Sequence, residues 1–389
     1  MFRNRAVLIG VTGEKKDTMK TLPSAVRRAV VIHSPHAGRS ASLSHALAAL
    51  HQSGVDIAEV LPISTVASAP ALAQEWKTNG IDLVVAAGGD GLVGGLITHV
   101  IASRFPIGIL PLGTANDLAR SLGIPQDIAS AASVIASGVH RLIDLGLARP
   151  LIASEQADPH LHSTQQRLFA HALTVGLSVQ FASVATNKTV RQRYGHFTYP
   201  FALGQAFKTY RPIDAECHFD GVARRTPSYP LPVATEEHVI LRSRIAQSTA
   251  VNAPIFWGFF EGRVPGVRFT DRLLDIVIFE DTSRHLLALR MLHFFNSRHQ
   301  RTPDKQGWHA RYPDLLSAEL TNIPGVHHVQ ARSLTIFTEN GPHAVTLDGE
   351  VCAQTPVEAR VADEQLRLLV PATPLIAPSS RNVPDHWPL

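Results

Sequence analysis

The chain has 389 residues, 45% of them hydrophobic and 17% charged, which is ordinary for a globular enzyme and enough for two units with separate cores. The net charge of +4 favours anionic partners such as nucleotides or acidic headgroups; the Lys and Arg are scattered and not in blocks, and no nucleic-acid partner is expected. Two distant cysteines, Cys217 and Cys352, exclude a disulfide framework and a cysteine zinc site, and no apolar run reaches spanning length, so a cytoplasmic protein with at most peripheral membrane contact is expected.

Residues 1–26 show no regular period and read as an N-terminal extension; the apolar run 6–11 behind Arg3 and Arg5 is too short for a secretion signal. Regularity begins at Ala29. Residues 29–32 form a short apolar strand, and a turn over 34–39 leads into an Ala- and Leu-rich helix at 42–51. A strand at 55–61, a helix at 70–77 and a buried strand at 81–86 follow, the last ending in Gly88 and Gly89. A helix at 92–103 and a strand at 107–110, turning at 111–113, complete the set. This alternation predicts a mostly parallel, doubly wound α/β nucleotide-binding domain over 27–146.

Beyond Asp144 the texture changes to aromatic and β-branched alternation, at 173–179, 238–241, 274–279 and 334–337, which predicts an antiparallel β-sandwich-like domain over 147–345. Residues 346–389 are expected to return to the first domain and end in a tail. Residues 150–166 look like an insertion and 297–312 like an exposed basic loop. One helix, 284–296, interrupts the β pattern; its Leu286, Leu287, Leu289, Leu292 and Phe294 read as core-facing, with a membrane-facing stripe as the alternative. Phe256, Trp257, Phe259 and Phe260, near Arg263 and Arg268, read as buried aromatics, with a border to a lipid as the alternative.

Two strand ends carry the chemistry. Gly88-Gly89-Asp90-Gly91 joins a buried strand to a helix start, where glycines admit close backbone approach and the helix N-terminus favours phosphate. The Asp90 carboxylate would repel phosphate unless a cation intervenes or it serves as a base. Pro111-Leu112-Gly113-Thr114-Ala115-Asn116-Asp117 lies past the next strand, on the edge where open α/β sheets collect ligands; Asp117 is either functional or a helix cap.

At these residues the sequence resembles the diacylglycerol kinase catalytic domain shared by diacylglycerol, ceramide and sphingosine kinases. The likeness runs over 29–370 and is most specific in Gly88–Gly91 and in PLGTANDLARSLGIP at 111–125, a string that separates this family from the NAD kinases and phosphofructokinases. Ser34-Pro35-His36-Ala37-Gly38 stands where the family has a nucleotide loop; RLIDLG at 141–146, DRLLD at 271–275 and Leu347-Asp348-Gly349-Glu350 follow in the family's order.

The resemblance implies an ATP-dependent, magnesium-dependent lipid kinase. ATP would be held by Ser34, Gly38, Ser64 or Thr65, Gly88, Gly89, Asp90, Gly91, Gly113, Thr114 and Asn116; Asp90, Asp117 and Asp144 would form an acidic network around magnesium and water. Glu350 would be the general base toward the lipid hydroxyl, with Asp90 as its rival, and Asp271 with the carbonyls of Arg268 and Leu273 would hold a structural metal. Glu350 serves only if the distant C-terminal segment folds back onto the glycine loop, or it is an ordinary hairpin carboxylate.

Gly94 and Gly95 depart from the Asn-Glu pair usual in the family, which predicts a weak helix start. The other readings are a non-catalytic lipid- or nucleotide-binding relative and a kinase for a soluble acceptor in the manner of NAD kinase. Neither the lipid nor the oligomeric state, a homodimer included, is fixed by the sequence.

Overall fold

The computed structural model describes residues 27–34, 42–68, 71–101, 104–151, 165–226, 229–255, 263–264, 266–296, 321 and 323–372. Gly38, the 256–260 aromatics and the 297–312 stretch lie outside the described residues.

The first unit holds β1 (Arg28–His33), α1 (Leu43–Gln52), β2 (Asp56–Pro62), α2 (Ile63–Ser68), α3 (Leu72–Thr78), β3 (Leu83–Gly88), α4 (Asp90–Val100), β4 (Ile107–Pro111), α5 (Asp117–Ser121) and α6 (Ile128–Ser137), which keeps the predicted alternation and adds the unforeseen helices α2 and α6. Strands β2, β1, β3 and β4 pair in parallel in that order, and every residue of β3 and β4 is buried, as continuous apolar runs in a sheet covered on both faces require.

The second unit holds β5 (Val139–Pro150), β6 (Arg167–Phe169), β7 (Ala172–Gly176), α7 (Leu177–Ala185), α8 (Lys188–Tyr194), α9 (Thr198–Thr209), β8 (Ile213–Asp220), β9 (Ala223–Thr226), β10 (Tyr229–Ala234), β11 (His238–Val251), β12 (Leu274–Glu280), α10 (Arg284–Asn296), β13 (Val326–Ala331), β14 (Ser333–Thr338), β15 (Ala344–Leu347), β16 (Glu350–Gln354) and β17 (Val357–Val370). Pairing here is antiparallel, as expected, apart from a contact of β17 with β4.

Strand β17 joins the two. Its Val357, Ala359 and Val361 lie in the core of the second unit, whereas Leu366, Leu368, Leu369 and Val370 lie in that of the first. Together with β5, its antiparallel partner, it makes one continuous sheet of fifteen strands across both patterns.

Helical content was underestimated between 177 and 209. The alternating stretch expected at 173–179 stops at Gly176, whose φ of 101° ends the strand, and three helices follow. Of the α10 stripe expected in the core, Leu287 and Phe294 are buried with Met291, but Leu286, Leu289 and Leu292 are exposed. A single 3.6-residue helix cannot turn 286, 287, 289, 292 and 294 to one side.

Candidate active site

The two motif turns lie side by side at the carboxyl ends of β3 and β4. Gly88 and Pro111 are register partners, and Leu112 donates its N–H to the Gly88 carbonyl at 3.1 Å. Gly89 and Gly113 touch backbone to backbone: a Cβ on Gly113 would stand 2.5 Å from the Gly89 Cα. These two glycines are required first by loop-on-loop contact, a demand additional to phosphate approach.

Asp90 fastens the pair. Its Oδ2 accepts the Asp117 N–H and its Oδ1 the Leu118 N–H, both at 2.9 Å, so the first residue of α4 caps the first turn of α5. Asn116, in the left-handed region at φ 52°, turns inward; its Nδ2 donates to the carbonyls of Pro111 and Gly113 and to Gln126 Oε1. Its amide nitrogen is therefore spent on loop shape, while its Oδ1 is buried without a hydrogen-bond partner. Thr114 at the loop tip is exposed, Ser34 follows β1, and Ser64 is exposed in α2 behind β2, all on the carboxyl edge.

The C-terminal motif arrives on the same helix. Asp348 and Gly349, at φ 48° and 88°, make the two-residue turn between β15 and β16, the geometry that Asp-Gly favours. Asp348 is buried, and its carboxylate accepts three backbone N–H groups, from Ala170, His171 and Ala172, at 3.0, 2.9 and 3.0 Å. Burial pushes its pKa up while His171 and those N–H groups pull down; the net displacement is upward. A Cβ on Gly94 would lie 2.7 Å from Asp348 Oδ2, and a Cβ on Gly91 would lie 3.0 Å from Glu350 Oε1. The glycines of α4 that depart from the family pattern thus do not merely weaken the helix: Gly94 makes room for the returning turn, while Gly95 meets nothing within 4 Å.

Glu350 is exposed at its rim, but protein on its other sides strips enough water to push its carboxyl pKa up; Arg167 opposes that shift and Asp348 adds to it.

His171 was not singled out in the sequence. It is buried, and its Nε2 lies 2.6 Å from the Ile255 carbonyl, an acceptor only, so that nitrogen carries a proton. The same nitrogen is 4.0 Å from Asp117 Oδ2. Burial alone would lower the imidazole pKa, but the carboxylates of Asp117, Asp90 and Asp348 and the Ile255 carbonyl outweigh it, and the shift is upward. The available signal was a histidine inside an otherwise apolar run at 168–173.

Asp144, expected beside Asp90 and Asp117, makes its own hydrogen bonds to other residues. It is fully buried on β5, where Oδ2 accepts the Arg272 N–H at 2.7 Å, Oδ1 accepts from Gln365 at 2.8 Å, and the Arg272 guanidinium stands 3.5 Å away. These bonds follow from β5 pairing with β17, which sets Asp144 opposite Gln365, and from the Asp144 N–H donating to the Phe269 carbonyl of the 268–273 loop. In that loop Asp271 Oδ1 accepts the Leu273 N–H at 3.2 Å, while its Oδ2 is buried without a hydrogen-bond partner. Burial, then the like charge of Asp275, with Asp144 adding, pushes Asp271 up to about 6. An oxygen site with an orphaned, reluctant carboxylate fits a hard cation. Asn252 links the two centres, donating its side-chain amide to the Asp144 carbonyl and its N–H to the His171 carbonyl.

Comparison with known proteins gives matches along the chain. Residues 28–148 match the diacylglycerol kinase catalytic domain and residues 172–370 the YegS C-terminal NAD kinase beta sandwich-like domain. The chain is 35% identical over 127 residues to a diacylglycerol kinase of Bacillus subtilis, covering 31% of this chain, and 22% identical over 354 residues to one of Staphylococcus epidermidis, covering 89%. It spans about half the length of the first curated relatives it matches, 55% and 42%, and 92% of the Staphylococcus protein. The crystal structure of a diacylglycerol kinase from Bacillus anthracis shares the fold, with a TM-score of 0.57 at 17% identity over 89% of this chain and 97% of that one.

Proposed function

The chain belongs to the diacylglycerol kinase family of lipid kinases, and from that premise we propose that it transfers the γ-phosphoryl group of ATP to a lipid hydroxyl, with Glu350 as general base. The observation that carries this reading is the docking of the Asp348–Glu350 turn on α4, which sets the Glu350 carboxylate against Gly91 at the glycine loop. Two segments from opposite ends of the chain meet where the phosphates would lie.

In this reading the half-buried edge formed by Gly88–Gly91 and Gly113, with exposed Thr114 at its tip and Ser34 and Ser64 on the neighbouring strand ends, receives the nucleotide. Asp90 keeps the two loops in register through its two backbone bonds. As the acceptor oxygen bonds to the γ-phosphorus and the bond to ADP breaks, Glu350 takes the hydroxyl proton. An upward-shifted carboxyl is a stronger base, and turnover rises with pH as it loses its proton. Asp117 would hold magnesium through water at the phosphates, while Asp90 holds the loops; His171, whose pKa these carboxylates raise, lies beside Asp117. Magnesium, when bound, neutralises the phosphate oxygens. A second, structural cation fits Asp271 and the carbonyls of Arg268 and Leu273, where it would relieve the crowding of Asp271 by Asp275 and Asp144.

The test is a kinase assay with labelled ATP and a panel of diacylglycerols, sphingoid bases, ceramides and soluble nucleosides, read by mass spectrometry. A phosphorylated lipid that disappears on chelation of magnesium is expected. Transfer to a soluble acceptor alone, or nucleotide binding without transfer, would overturn the reading.

A further inference from the structure

Helix α5 is too short to hold its own place. Its five residues, Asp117–Ser121, fall far below the roughly 12 that a helix needs to persist by itself, so the groups it is tied to decide where it sits. Its first turn is tied to the first unit, through the Asp117 and Leu118 N–H groups that Asp90 accepts. Its last residue is tied to the second unit: Ser121 Oγ accepts the Ile255 N–H at 3.0 Å.

Ile255 is gripped on its other side as well, because its carbonyl accepts the His171 Nε2–H at 2.6 Å. The segment 252–255 reaches this point by leaving β11, whose Val251 pairs with Ala172. Asn252 then donates its N–H to the His171 carbonyl at 2.9 Å and its side-chain amide to the carbonyls of Asp144 and Ala170. His171 sits at the crossing: its own N–H goes to Asp348 Oδ1 at 2.9 Å, and its Nε2 lies 4.0 Å from Asp117 Oδ2. An apolar side chain would fill the same buried space at a lower desolvation cost, so the imidazole is accounted for by the bond it makes.

We propose that His171 and Ser121 are positioning residues that act as one clamp on Ile255, fixing α5 against the second unit and holding the Asp117 carboxylate at the phosphate edge of the nucleotide site. This rests on the kinase reading and deepens it. The second unit, which already supplies Glu350 to the glycine loop, then also shapes how the first unit holds its nucleotide. Substitution of the His171 ring leaves its N–H on Asp348, so the turn that carries Glu350 keeps its anchor.

The test is calorimetric binding of a non-hydrolysable ATP analogue to the full chain, with and without magnesium and without acceptor lipid, so that no catalytic step is read. His171→Leu should weaken binding with magnesium by about tenfold and binding without it by less than about twofold, because the Asp117 carboxylate is displaced while the glycine loop is not. Ser121→Ala should act in the same direction by about threefold, and His171→Gln, whose amide restores an N–H donor, should stay within about twofold of wild type. Both side chains work through one residue, so the double variant His171→Leu/Ser121→Ala should lie nearer to about tenfold than to the roughly thirtyfold of independent effects. Single variants that bind like wild type, or a double variant at the full product, would overturn the clamp. So would a His171→Gln that melts like wild type yet binds as weakly as His171→Leu, since the ring and not its bond would then matter. If His171→Leu does not fold, Ser121→Ala, which removes only a half-buried hydroxyl, decides by the same measurement. Wild type that binds no nucleotide would refute the kinase reading itself, whereas binding that no variant alters would refute the clamp alone.

Discussion

The chain gathers carboxylates at two places, and they are satisfied to different degrees. At the α4 edge Asp90 accepts two backbone N–H groups and Asp348 three, so both are bound into the frame. Glu350 alone remains at an exposed rim there. At the 268–273 loop Asp144 is bound in the same way, but Asp271 has a buried oxygen without a partner and an elevated pKa. A carboxylate whose oxygens are filled by the backbone holds loops; one left short of partners is available for a proton or a cation.

The largest effect should come from breaking that division at the first centre. Glu350→Gln is expected to lower turnover by about 10²–10⁴-fold with little change in melting temperature, because it removes a proton acceptor that supports no loop. Asp90→Asn should cost both activity and about 2 kcal/mol of stability, because one of its two backbone acceptors is lost. Paired kinetics and denaturant melts check this, and a stable but inactive Asp90→Asn beside an active Glu350→Gln would transfer the role of base to Asp90.

A smaller effect should separate the glycines of α4. Gly→Ala inside a helix ordinarily stabilises by about 1 kcal/mol, which is the expectation for Gly95→Ala. Gly94→Ala should instead lower kcat by about tenfold, because its methyl would displace Asp348, which three N–H groups hold in place, and Glu350 with it. Equal behaviour of the two variants in kcat and melting temperature would remove the docking explanation.

The smallest effect tests the second centre. The folded pKa of Asp271 is raised to about 6 from an ordinary value of 3.8, so the metal-free chain loses stability as pH rises through that window. Asp271→Asn removes the group and should melt higher than wild type at neutral pH, an advantage that vanishes below about pH 4, where Asp271 is protonated in both states. Magnesium should raise the melting temperature of wild type and leave Asp271→Asn unchanged. An equal magnesium response in both would place the cation elsewhere.

Much of this was legible in the residues. The strand-helix alternation of the first unit and the two motif turns rest on local chemistry; the demand that Glu350 fold back rests on the resemblance to the family. Three things were not. Helices α7 to α9 escaped because Gly176 ends a strand within a stretch that continues to look β-branched. The partners of Asp144, Arg272 and Gln365, come from segments far along the chain that no local pattern ties to it. His171 showed only as one histidine among twenty.

By itself, then, the sequence determined which backbone turns form, because glycine, proline and apolar periodicity act over a few residues. Only the tertiary structure decided which carboxylates share a site. Strand β15 pairs with β7 so that Leu347 faces Leu173, and that register sets Asp348 on the N–H groups of residues 170–172. A slip of one residue would turn every side chain of β15 to the other face of the sheet and take Asp348 away from those donors.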